Sequence, residues 1–380
     1  MRRRALITLA ALCGCRWDVV LGADGISLRG DAATLDAPEV IDAPLVPPRD
    51  VPMERDAGPS DRPELVDATE DIPEDIPETP MGTLRSVALG GDFSCVVRSD
   101  DSVWCWGAND RGQLGVGTTA PVTGPVRVRG LGGVSSMVAG RRHACALLRG
   151  GGLRCWGAND RGQLGDGSTT DRAGFVAVAG AYRRVLAGGA FTTAETASGA
   201  VHAWGANDRG QLGDGTTADR ATPGPVTGAG ALRLLAVGHA HTLARAADGS
   251  TFGWGDGGRG ALGDGAMAVR TTPVAIAGWR GLTSLVAGDG FTCGALGSDA
   301  VSCVGANELG QLGDGTGVDN PVPQRITEFS RSQPEALAAG PRGACGIIAE
   351  TALWCWGDNA VGQLAPGGPS RLLRPTLVPR

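Results

Sequence analysis

The sequence predicts an all-β protein, a β-propeller of about six four-stranded blades with seven as the alternative, preceded by an N-terminal segment outside the ring. Three observations predict it. A Trp-Gly pair recurs at Trp106, Trp156, Trp204, Trp254 and Trp356, with Val304-Gly305 in the remaining slot, at spacings of 50, 48, 50, 50 and 52 residues. A glycine marker runs in step at Gly90, Gly140, Gly188, Gly238, Gly288 and Gly340. Each unit also carries four short apolar runs separated by Gly, Arg and Asn punctuation, which reads as four strands. Six such units of about fifty residues point to a propeller or a related array.

Taken in chain order, residues 1–15, MRRRALITLAALCGC, come first. Three arginines, an apolar run from Ala5 to Leu12 and a small residue before Cys15 have the layout of an export signal. The run is too short to span a bilayer. Its end, Leu12-Cys13-Gly14-Cys15, resembles a bacterial lipobox, although Cys13 stands where that pattern usually has Ala or Ser. The resemblance implies lipidation of Cys15, which would hold the protein at a membrane surface without a spanning helix; an ordinary cleaved signal is the other reading. Arg16 rather than Asp after the cysteine then implies the outer membrane or cell surface of a bacterium.

Residues 16–82 carry 17 acidic residues against 5 arginines, a net of −12, and ten prolines between Pro38 and Pro80. Such a stretch buries too little apolar surface to offset its ordering entropy, so a disordered, self-repelling, partly polyproline spacer is expected. An acidic interaction tail is the competing reading.

Residues 83–380 hold 23 acidic residues and 26 arginines, a net of +3, so no strong polyanion partner, and no nucleic acid, is expected. All 34 basic residues of the chain are arginine, which excludes a P-loop nucleotide site and a lysine Schiff base. In the second unit the strands read as VSSMVAG, HACALLR, GLRCWGAN and FVAVAG. The third run is apolar on both faces: Val103, Leu153, Val201, Val301 and Leu353 point one way and the tryptophans the other, as in a strand covered by a neighbouring blade on each side.

The string CWGANDRGQLG stands at Cys105–Gly115 and again at Cys155–Gly165. Repetition makes it architecture rather than a catalytic loop. Trp packs blade on blade, the next Gly lets a backbone pass closely, and Asn-Asp-Arg-Gly forms a turn in which Asn and Gly are expected at positive φ. Gln is expected to bond the backbone that the turn leaves open.

The stretch AGRRHACALLRGGGLRCWGANDRGQLGDG, residues 139–167, resembles the repeat of the regulator of chromosome condensation family, and the likeness runs through essentially all of residues 83–380. It implies a β-propeller, usually of seven blades in that family; this chain shows six repeats. Closure is expected from the C-terminal RPTLVPR lying beside LRSVALGG of the first unit, which would remove open edges. Kelch blades have a similar length but need a Gly-Gly doublet and tyrosines, and the one tyrosine is Tyr182. The sialidase-like ADGSTFGW occurs once and lacks the catalytic tyrosine that such enzymes use.

Beyond Cys13 and Cys15, eight cysteines fall into pairs ten positions apart: Cys95-Cys105, Cys145-Cys155, Cys293-Cys303 and Cys345-Cys355. In units three and four both positions change together, to Thr193 with Ala203 and Leu243 with Gly253. Both-or-neither is what a bond between two sulfurs predicts, and antiparallel strands flanking a short turn bring such positions within range. The spacing is wrong for a metal site, and no metal or other cofactor is expected.

Of four histidines, His143 and His241 occupy a slot filled elsewhere by Phe93, Phe191 and Phe291, so a packing ring is expected there. What distinguishes this protein should lie where units differ, chiefly in the turn after the glycine marker. That turn supplies Arg141, Arg142, His239, Asp289 and Arg342 as the candidate recognition surface, expected to ring one face. No nucleophile stands beside a histidine in a recognisable signature, so no catalytic residue is assigned. The function expected is a membrane-anchored, non-enzymatic, monomeric module that binds a protein or glycan at the cell envelope. Two alternatives come from other classes: nucleotide exchange or chromatin binding, as in the family's eukaryotic namesake, and an envelope hydrolase or lyase using the propeller face.

Overall fold

The computed structural model describes residues 18–22, 25–29, 83–228, 232–279, 281–296, 300–329, 334–348 and 352–378. The export signal and the proposed acyl site at Cys15 lie outside these residues. Six four-stranded antiparallel meanders span residues 84–128, 134–178, 182–225, 232–275, 282–326 and 336–377, and we number them blades 1 to 6. In blade 2 the strands are Val134–Ala139, His143–Leu148, Leu153–Gly157 and Arg172–Val178, in that order across the sheet. First strands of successive blades touch, and their ends, from Leu89 to Ala339, line a common central cavity. The chain is therefore a six-bladed propeller.

Closure takes a different form from the expected one. The C-terminal strand Arg371–Leu377 pairs with Ala352–Asp358 of its own blade, and Leu84–Leu89 pairs with Phe93–Arg98. Each unit carries its own fourth strand, so none is left to exchange. Ahead of the ring, within the acidic segment, Asp18–Gly22 and Gly25–Arg29 form a separate antiparallel hairpin.

The core lies between blades. Trp156, Trp204, Trp254 and Trp356 are completely buried, and each indole Nε1–H donates to a backbone carbonyl of the preceding blade: Gln113 at 2.9 Å, Gln163 at 3.0 Å, Gln211 at 3.0 Å and Gln311 at 2.8 Å. Where Val304 replaces Trp, Ala261 replaces the facing Gln, and Trp279 joins Val304 in a shared buried cluster. The four cystines form, each with its Cα atoms 4.1 Å apart on directly paired positions of the second and third strands. The substituted pairs Thr193-Ala203 and Leu243-Gly253 keep the same register. Val103, Leu153, Val201 and Val301 are buried as expected, and Leu353 is half-buried.

The repeated turn closes from inside. Asn159 is buried; its Oδ1 accepts from the Leu164 amide at 2.9 Å, and its Nδ2 donates to the Ser168 and Thr170 carbonyls at 3.0 and 3.1 Å. Asn109, Asn207, Asn307 and Asn359 bond the equivalent leucine amide. Positive φ at Asn, expected from the sequence, does not occur: among the described residues Asp101 alone of the non-glycines has it. The side chain must reach inward to bond both ends of the loop, and the glycines take the left-handed conformation instead. Gly157 (φ 100°) is the sharper case, since a Cβ there would meet the Arg142 carbonyl at 2.5 Å. Gln163 behaves as expected, its Oε1 accepting from the Arg161 amide at 2.9 Å. The arginine latches onto the next blade: Arg111 to Asp171, Arg161 to Asp219 and Arg259 to Asp319.

Candidate binding face

The turn after each glycine marker stands at one mouth of the central cavity, because it joins the first strand to the second in every blade. Backbone bonds link these turns around the axis. The Gly91 amide donates to Arg141 at 3.0 Å, Arg141 to Gly189 at 2.9 Å, Gly189 to His239 at 2.8 Å, His239 to Gly288 at 3.1 Å and Asp289 to Pro341 at 3.0 Å. A bonded rim of this kind presents side chains from a rigid frame, which suits recognition.

The cavity measures about 560 Å³ and is lined by Arg141, His239, Asp289 and Arg342 together with Asp92 and the marker glycines. Four of the five sequence-selected residues thus share one opening. Arg142 points elsewhere and approaches Asp110 of blade 1 at 3.6 Å. A second hollow of about 350 Å³, on blades 4 to 6, shares His239, Asp289 and Arg342 and adds Asp256, Arg259 and Glu308. Its centre is a charge cluster: Arg259 bonds Asp319 at 2.6 and 2.8 Å and Glu308 at 3.1 Å. The hydrogen bonds that Arg259 donates to Asp319 and then Glu308 hold the guanidinium pKa above its usual range, so Arg259 is a fixed cation. Sequence reasoning missed Arg259 and Glu308 because they sit in the repeated turn. The signal was there in Asn-Glu-Leu-Gly of unit five, where units one to three read Asn-Asp-Arg-Gly.

His143 and His241 are buried packing rings; His143 lines neither hollow, and His241 backs the second. His143 Nε2 lies 3.0 Å from Thr192 Oγ1, and that hydroxyl donates to the Gln163 carbonyl at 2.9 Å. The hydroxyl's one proton is committed, so the imidazole donates and is neutral with hydrogen on Nε2. His241 repeats the pattern with Thr292 at 2.9 Å and the Ala261 carbonyl at 2.8 Å. Burial pushes both pKa values down to about 4. What the mouth offers chemically is a mixed set of cations, carboxylates and backbone groups, an arrangement that hydrogen-bonds polar ligands.

The family described as "Regulator of chromosome condensation (RCC1) repeat" matches residues 100–147 and 198–245, and a second family of the same description matches 84–113 and 134–163. No curated protein matches the chain. Among solved structures, human WBSCR16 superposes with a TM-score of 0.69 at 23% identity, covering 79% of this chain and 83% of that one. Yeast RCC1 (Prp20), solved bound to Kap60, gives 0.67 at 20% identity, covering 78% and 75%. Prp20p from Saccharomyces cerevisiae, described with its binding to Gsp1p and histones, gives 0.66 at 19%, covering 78% and 77%. At these identities the likeness speaks for the fold; residues 84–163 and 198–245 match RCC1 repeats, and with the repeated Trp-Gly turn the chain is similar to that family.

Proposed function

We propose that this protein is a membrane-tethered, extracytoplasmic β-propeller that binds a protein or glycan without catalysing a reaction on it. The observation that carries this reading is the shared mouth of Arg141, His239, Asp289 and Arg342, residues that differ from unit to unit yet meet at one opening. Four buried cystines support an oxidising compartment, in keeping with the export-like N-terminus. Yeast Prp20, which shares the fold, is described as bound to Kap60 and as binding Gsp1p and histones. Fold alone does not transfer those partners.

Two measurements test the proposal. Envelope extracts are passed over the immobilised full chain and over an Arg141→Glu/Arg342→Glu variant; a partner retained by the first and lost by the second is expected. Equal retention by both would remove the mouth as the binding surface, and turnover of an envelope substrate that vanishes in the variant would move the protein into the enzyme class. Separately, Cys15→Ser should shift the protein from the membrane fraction to the soluble one; unchanged partitioning would remove the acyl tether.

A further inference from the structure

The second hollow owes its shape to blade 4, whose turn departs from the repeat. Where unit three reads ANDRGQ at residues 206–211, unit four reads DGGRGA at 256–261. In blade 3 the Gln211 side chain braces the turn: its Oε1 accepts from the Arg209 amide at 2.8 Å, and its Nε2 donates to Asp208 at 3.2 Å. Ala261 is too short for either bond, and it forms part of the wall of the hollow. The same departure brings in one carboxylate, Asp256, where blades 1, 2, 3 and 5 carry alanine.

Blade 6 shows what an aspartate in this slot takes. Asp358 stands there, and Arg342, two residues after the glycine marker, brings its guanidinium to 3.6 Å from it. Backbone bonds match the two slots: the Asp358 amide donates to the Arg342 carbonyl at 2.9 Å, and the Asp256 amide donates to the Ala240 carbonyl at 2.8 Å. Alanine therefore occupies in blade 4 the position that holds the arginine in blade 6, and Ala240 and Asp256 both line the hollow. Asp256 Oδ1 accepts from the Gly258 amide at 2.8 Å, and among the described residues no arginine pairs with this carboxylate. Asp289, from the marker turn of blade 5, lines the same hollow and is likewise without an ion-pair partner among the described residues.

We propose that this hollow receives one arginine side chain of a protein partner, its guanidinium taken by Asp256 as Arg342 is taken by Asp358, with Asp289 as a second carboxylate. The inference rests on the reading of this face as a binding surface and narrows it to one residue type. A guanidinium is planar and carries five donors, so it can serve two carboxylates at once, which a compact ammonium does less well. His241, 1% exposed, backs the hollow; its Nε2 is committed to Thr292, so its Nδ1 is a lone-pair acceptor. Leu309, Pro341 and Ala261 give the methylene stem apolar wall to lie against. The volume, about 350 Å³, stands at the small end of ligand pockets and suits a single side chain. Charge favours a cation as well. Arg259 is paired with Glu308 and Asp319, and Arg342 with Asp358, so with Asp256 and Asp289 five carboxylates stand against two guanidinium groups.

Calorimetric titration of the full chain with a blocked glycine-serine peptide that carries one central arginine tests the proposal. The wild type should bind it saturably. The citrulline version, which keeps the shape without the charge, should bind at least about tenfold more weakly. Ala240→Arg, which installs the residue that blades 2 and 6 carry in that slot, and Asp256→Asn should each weaken binding by a similar factor. If Ala240→Arg lowers the thermal midpoint, Asp256→Asn decides alone. No saturable binding by the wild type, equal affinity for the citrulline peptide, or affinity unchanged in Asp256→Asn would overturn the proposal. Glucosamine binding in place of the peptide would overturn it too, giving the hollow to an amino sugar. The mouth and the arginine site fail separately: an extract partner lost on Arg141→Glu/Arg342→Glu but kept by a folded Ala240→Arg leaves the mouth standing and removes the arginine site.

Discussion

His143 and His241 show how a single slot can be filled by two chemistries. The pocket accepts an aromatic ring, and Thr192 or Thr292 makes histidine acceptable by taking its one hydrogen. In the unfolded chain each imidazole takes up a proton near 6.5, but in the fold only near pH 4. The unfolded state therefore binds more protons within that window, and stability, complete above it, falls as the pH drops through it. The loss approaches about 3 kcal/mol per histidine by linkage. Urea unfolding at pH 7 and pH 4.5 should show the drop, and His143→Phe should make it smaller. Trp204 sits at the other extreme: its indole fills a joint, and Trp204→Ala should lower unfolding free energy by about 3 to 5 kcal/mol, seen as an earlier denaturation midpoint. Both roles were legible in the sequence, because a slot alternating between Phe and His asks for a ring. The inward role of Asn159 was not legible, since asparagine suits left-handed turns and interior clamps equally well, and only the loop's depth decides between them.

At the scale of elements, hairpin and turn carry the stability. The second and third strands of four blades are stapled by cystines buried at the joints. Replacing Cys145 and Cys155 together by alanine should cost about 2 to 3 kcal/mol by the loop-entropy estimate, checked by thermal unfolding without reductant. The both-or-neither pattern of cysteines made these pairs readable, because antiparallel register converts a fixed spacing into direct opposition. Closure was misread for an instructive reason. The C-terminal run has the right pattern for an outer strand, and pattern alone does not say which neighbour it joins; the strand Ala352–Asp358 of its own blade is nearer in sequence and takes it. Asn159→Ala should destabilise by about 2 to 3 kcal/mol or more, because it strands the Leu164 amide and two loop carbonyls together, whereas Asp208→Ala, on the exposed side of the equivalent turn in blade 3, should change the midpoint little.

Across the whole molecule, six sheets share one axis and bring the unit-to-unit differences to a single mouth. The repeats made the number of blades legible, but the mouth's charge set was readable only in part. Arg259 and Glu308 are held in place by contacts between blades, which no single unit displays. The repeated joint between neighbouring blades bears on how such a chain changes length over generations. A duplicated or deleted unit at a sealed joint must match two tailored neighbours at once. Where the joint repeats one indole-to-carbonyl bond, as at Trp156, Trp204, Trp254 and Trp356, a copied unit already carries both halves of that match.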